Sequence, residues 1–168
     1  MTNLHTSVDL RKDKFSGGKE MSIKKYPSIT VADIRKIEQK YDLRLPQDYI
    51  DHLLKYNGGH VDSEDDTGIY MECFDDEIHV DVLFGINTGH KNTNIETWMD
   101  NKIIGSDVPD KTIIIGDTYE HGFIVLVCAG DDSGVYYWDH SYNYECSDAE
   151  GNVYLLANTF SQLIASLI

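Results

Sequence analysis

Basic residues are scarce in this 168-residue chain: 14 lysines and arginines stand against 29 aspartates and glutamates, a formal net charge of −15. That deficit argues against nucleic acid as a direct ligand, because phosphates would be repelled, and it predicts a basic partner. Cysteine is sparse as well. Cys73, Cys128 and Cys146 are odd in number and lack CxxC spacing, which argues against a disulfide framework and predicts reduced thiols in a cytoplasmic protein. Long apolar runs are missing too. The stretch Met1 to Glu20 has few apolar residues, Val8, Leu10 and Phe15 among them, and predicts neither a secretory leader nor a membrane span.

Signatures of catalysis are absent in the same way. No HxxxH or HExxH spacing offers a metal site and no GxSxG elbow a nucleophile, so neither a cofactor nor enzymatic activity is expected. Pairs such as His79 with Asp81, Glu120 with His121, and Asp139 with His140 invite a metal or acid/base reading. Neighbours in a strand point to opposite faces, however, and alternate positions between buried residues face solvent. Gly58-Gly59 follows a predicted helix instead of preceding one, the wrong polarity for a phosphate cradle.

What is present describes one α+β domain. Hydrophobic residues are 41% and charged residues 26%, enough to bury a core without metal or disulfide. Thr30 and Asp33 form a capping box before Ile34, Ile37 and Tyr41, predicting a helix over about 31–41. A second is predicted over 46–56, opened by Pro46 and closed by Asn57-Gly58-Gly59. His60 to Asp66 reads as a loop. Alternation then predicts a hairpin of Ile69–Cys73 with Ile78–Phe84, broken by Asp75-Asp76-Glu77. A third helix over about 94–102 would bury Ile95, Trp98 and Met99. Ile113–Ile115 reads as a short strand ending in a turn at Gly116-Asp117, and Phe123–Ala129 should pair antiparallel with Val135–His140. Phe160, Leu163, Ile164 and Leu167 predict a docked terminal helix behind Asn158 or Thr159. Tyr49, Leu53, Ile113, Ile115, Val125, Val127, Phe160 and Leu163 are assigned to one core.

Several of these segments resemble one family. Leu45-Pro46-Gln47-Asp48-Tyr49 with Asn57-Gly58-Gly59 is similar to the LPxxY…NGG opening of the SUKH superfamily of Smi/Knr-like proteins. Val82-Leu83-Phe84-Gly85, Ile113 to Asp117, Gly134 to His140 and Leu156 to Phe160 follow in that family's order over roughly residues 30–168. The resemblance implies a mostly antiparallel central sheet flanked by N-terminal helices and a C-terminal helix, with residues 1–21 an extension and 22–168 the SUKH-like domain. It implies a non-catalytic binder, in bacteria an immunity protein that neutralises a cognate toxin, often a nuclease. The alternative is a regulatory adaptor in cell-wall or signalling processes, as among fungal members.

Partner contacts are expected where acids and tyrosine share loops. The candidates are Asp62, Glu64, Asp65 and Asp66; Asp75, Asp76 and Glu77; and Asp117, Tyr119, Glu120 and His121. The expected partner is a basic toxin protein, with no direct nucleic acid and no membrane, and the chain itself a monomer or weak homo-oligomer.

Overall fold

A computed structural model describes residues 23–61 and 68–167. The proposed extension at 1–21 and the cluster Asp62, Glu64, Asp65 and Asp66 lie outside the described residues. Four helices and eight strands follow one another as β1 (Ile23–Lys25), α1 (Val31–Lys40), α2 (Gln47–Tyr56), β2 (Gly59–Val61), β3 (Gly68–Met71), β4 (Asp76–Leu83), α3 (Ile95–Met99), β5 (Thr112–Thr118), β6 (Phe123–Val127), β7 (Gly134–Trp138), β8 (Val153–Ala157) and α4 (Phe160–Ser166). The strands form one antiparallel sheet in the order β1-β2-β4-β5-β6-β7-β8. β3 joins the same edge of β4 as β2, pairing with its first half while β2 pairs with its second. The α+β expectation is met.

The helices start where their sequence says they should. The Thr30 hydroxyl accepts the Asp33 N–H and the Asp33 carboxylate accepts the Thr30 N–H, the reciprocal box that satisfies two orphan donors. Pro46 stands at the cap of α2, one position outside its first turn. At α4, Thr159 caps the N–H of Gln162, while the Gln162 side chain reaches back to the N–H of Asn158. Phe160 then lies fully inside, edge-on to Tyr49 at 4.8 Å, and so locks α4 to α2.

The NGG segment turns out to be a structural lock. Asn57 takes the left-handed conformation at the end of α2 and is completely buried. Its amide donates to the carbonyls of Pro27 and Ile86 at 2.8 and 2.7 Å, and its oxygen accepts the N–H of Ile86 at 2.8 Å. A side chain at Gly58, whose φ is +76°, would run into the carbonyls of Leu83 and Phe84, and one at Gly85 into the carbonyl of Asn57. Only glycine permits this approach of the α2 terminus to the end of β4.

The core follows the forecast with one exception: Tyr49, Leu53, Ile113, Ile115, Val125, Phe160 and Leu163 are buried, while Val127 is half-buried at the end of β6. Several boundaries differ, and α3 ends at Met99 and not near 102, with Ile95 buried but Trp98 and Met99 only partly so. Gly59–Val61 is a strand, not the start of a loop, because glycine at its head admits β1 alongside. The hairpin turns at residues 72–75, so Asp76 and Glu77 already pair with Met71 and Tyr70. β5 continues through Gly116 and Asp117, which lie inside the sheet. β1 and β8 are edge strands of three and five residues without a clean alternation of burial, so period alone does not mark them.

Candidate functional site

Two of the acidic segments converge at one end of the β4–β5 pair. His79 of β4 sits between carboxylates: its Nε2 lies 3.5 Å from Glu77 Oε2 and its Nδ1 3.0 Å from Glu120 Oε1, while its N–H donates to Glu120 Oε2 at 3.1 Å. The Tyr119 N–H donates to the His79 carbonyl. Asp75 takes positive φ in the hairpin turn and accepts the Tyr70 hydroxyl at 2.8 Å, and Asp76 accepts the Glu77 N–H. Tyr70 and Tyr119 are 53% and 48% exposed, each beside carboxylates. The result is an edge that presents aromatic area and negative charge together.

Next to that edge is a cleft of about 310 Å³ lined by Asp81, Asp117, Tyr119 and His121 and walled by Trp98, Phe123 and His140. Sheet register puts two of its lining residues, Asp117 and Phe123, on one face of the sheet. Val82, Asp117, Phe123, Trp138 and Val153 lie opposite one another across five strands and therefore share a face. Between the pairs Val80–Thr118 and Val82–Asp117, Asp81 has no opposite number on β5; this bulge turns its carboxylate towards Asp117. Trp98 of α3 covers the face, 5.0 Å from the Phe123 ring, and its indole N–H is fixed on the Asn92 carbonyl. His140 lies 4.8 Å from the same Phe123 ring.

The electrostatics of the cleft are unusual. Asp117 Oδ1 is buried and has no hydrogen-bond partner among the described residues. Burial, with the Asp81 charge added to it, raises the Asp117 carboxyl to about 7, although the N–H groups of Val82 and of Asp117 itself pull the other way. The Nδ1 of His140 is also buried without a partner, and burial lowers the affinity of that ring for a proton despite Asp139 next to it. Both groups are therefore poor at holding charge alone.

Other pairings suggested by the sequence separate. The oxygens of the buried Asp139 accept the N–H groups of Asn143 and Tyr144 at 2.9 and 3.0 Å, so Asp139 shapes the 139–144 turn and does not act with His140. The nearest histidine to Asp81 is His60, 4.0 Å away, not His79. Among the described residues no group of three His, Cys, Asp or Glu side chains could hold a metal ion, and no helix is long and apolar enough to cross a membrane. The three thiols are free. Of the candidates, Glu77 and Glu120 flank His79, Asp75 and Asp76 stand in and just after the adjoining hairpin turn beside Tyr70, and Asp117, Tyr119 and His121 line the cleft. Sequence reasoning missed the participation of Asp81, Trp98, Phe123 and His140. A bulge and a packed α3 bring them together, and neither leaves a local pattern in the sequence.

A protein of Bacillus subtilis (strain 168), the SPbeta prophage-derived uncharacterized protein YokK, is 28% identical over 162 residues, which cover 86% of this chain and 78% of that one. No solved structure matches. The model of the SMI1 / KNR4 family (SUKH-1) matches residues 28–166, from just before α1 to the end of α4, so the chain belongs to that family, whose membership supports an immunity or Smi1/Knr4-like role.

Proposed function

We propose that this chain is a non-catalytic immunity protein that binds and neutralises a basic toxin, most readily a nuclease, in the cytoplasm of a bacterium. The observation that carries the reading is the acidic edge itself: Asp75, Asp76, Glu77 and Glu120 gather beside exposed Tyr70 and Tyr119 in a protein of net charge −15. A field of one sign accelerates encounter with a cationic surface and repels phosphate, so the protein competes with nucleic acid for the toxin without binding nucleic acid. The bacterial, prophage origin of YokK supports the bacterial branch of the family over the fungal adaptor branch.

Co-expression with the product of the neighbouring reading frame tests this. The expected result is a stable complex and restored growth of cells that the neighbour alone arrests. Normal growth with the neighbour alone, together with no complex, would overturn the reading in favour of an adaptor.

A further inference from the structure

We propose that the cleft between Asp81, Asp117, Trp98, Phe123 and His140 is a receptor for one arginine side chain of the protein partner. The inference rests on the partner being a basic protein, and it adds where and how that partner is anchored.

The cleft contains what a guanidinium requires and what little else would satisfy. Two carboxylates stand together in it, and Asp117 Oδ1 is buried with its bonding capacity unused. A guanidinium offers several N–H donors in a rigid plane, so one cation can donate to Asp117 and to Asp81 at once. The walls are flat π surfaces: Trp98 and Phe123, 5.0 Å apart at 59°, and His140, 4.8 Å from Phe123. Planar cations stack on such faces, and arginine does so more often than lysine. The His140 Nδ1, buried and unpaired, supplies a further acceptor while the ring is neutral.

Alternative occupants fit worse. An anion would meet two carboxylates, and the donor set does not converge as metal ligands would. A neutral apolar group would leave Asp117 Oδ1 unsatisfied and buried, a costly arrangement. Retaining such a carboxylate lowers stability in the free protein, and an incoming cation removes that penalty on binding. Binding should therefore release a proton near neutral pH and strengthen as pH rises. The groups that face Asp117 are Asp81, Tyr26, His121 and His140, with His60 behind Asp81. Protonation of His140 at low pH adds repulsion of the same sign.

The test uses the intact chain with Nα-acetyl-arginine methylamide as the probe and backbone amide NMR shifts as the readout. Saturable shifts are expected at Asp117, Thr118 and Phe123. The acetyl-lysine counterpart should bind more weakly, and Asp117→Asn should reduce affinity by about tenfold or more, the worth of one charge-assisted hydrogen bond. Asp117→Asn removes a buried charge and so does not threaten folding. The inference is overturned if shifts are absent up to the solubility limit, if lysine binds as well, or if Asp117→Asn binds unchanged. The two readings separate cleanly: a cognate toxin that binds Asp117→Asn as tightly as the native chain removes the arginine pocket and leaves the immunity role standing.

Discussion

Asp117 and His52 tie single residues to measurable pH dependence, with opposite signs. Asp117 holds its proton more tightly when folded, to about 7 against an ordinary 3.8, so folding stability is present at low pH and is lost as pH rises through that interval. Asp117→Asn should therefore leave the melting temperature nearly unchanged at pH 4 and raise it progressively towards pH 8. A thermal melt series checks this, and equal shifts at both ends would show that the carboxylate is not desolvated. His52 does the reverse. It is buried between the Tyr56 and Phe160 rings with Nε2 unpartnered, and burial lowers it to about 4 from 6.5. The unfolded chain takes up the proton first, so stability falls as pH drops from about 6.5 to 4, by about 3 kcal/mol at 1.36 kcal/mol per pKa unit. His52→Phe should flatten the dependence of unfolding free energy on pH in that window. Cys128, half-buried and pushed by burial up to about 12, should resist alkylation in the folded protein; exposed Cys146 should label first, and Cys73, which burial raises to about 11, more slowly than Cys146.

Elements differ in how plainly the sequence announces them. α1, α2 and α4 were legible because caps and apolar spacing agree: Thr30 with Asp33, Asn57-Gly58, and Thr159 with Gln162 each make the bonds their positions suggest. The strand pairs β3–β4 and β6–β7 were legible from alternation and from a continuous apolar run. β1, β2 and β8 were not: β1 and β8 are edge strands without a clean period of burial, and β2, between β1 and β4, is only three residues long. The acidic edge was half legible. Composition pointed to Asp75, Asp76, Glu77 and Glu120, but only the folded register of β4 beside the turn after β5 sets Glu77 and Glu120 on either side of His79. The cleft was legible only in Asp117, Tyr119 and His121; Asp81, Trp98, Phe123 and His140 join them through a bulge and the packing of α3, which leave no local pattern. α4 provides the energetic test at this scale. Phe160→Ala should cost about 3–5 kcal/mol, because the ring is buried against Tyr49 and His52. Chemical denaturation measures it, and a loss under about 1 kcal/mol would mean that α4 contributes little to the core.

For the whole molecule, the family motifs and the acidic residues have separate tasks. Asn57, Gly58 and Gly85 fix the frame at the end of β4; the charged edge and the cleft lie on that frame, at the other end of β4 and along β5. The most direct test of the account is the association rate of the cognate toxin, measured from 0.1 M to 1 M salt, where the Debye length falls from about 10 Å to about 3 Å. The protein is compared with a variant carrying Asp75→Asn, Asp76→Asn and Glu77→Gln. Amides keep the acceptor oxygens that hold Tyr70 and the Glu77 N–H, and asparagine tolerates the positive φ at 75, so the variant keeps its melting temperature. Two results are predicted: the native on-rate falls steeply with salt while the off-rate changes little, and the variant starts at low salt near the native protein's high-salt rate. On-rates indifferent to salt and to the three substitutions would contradict the acidic-edge mechanism.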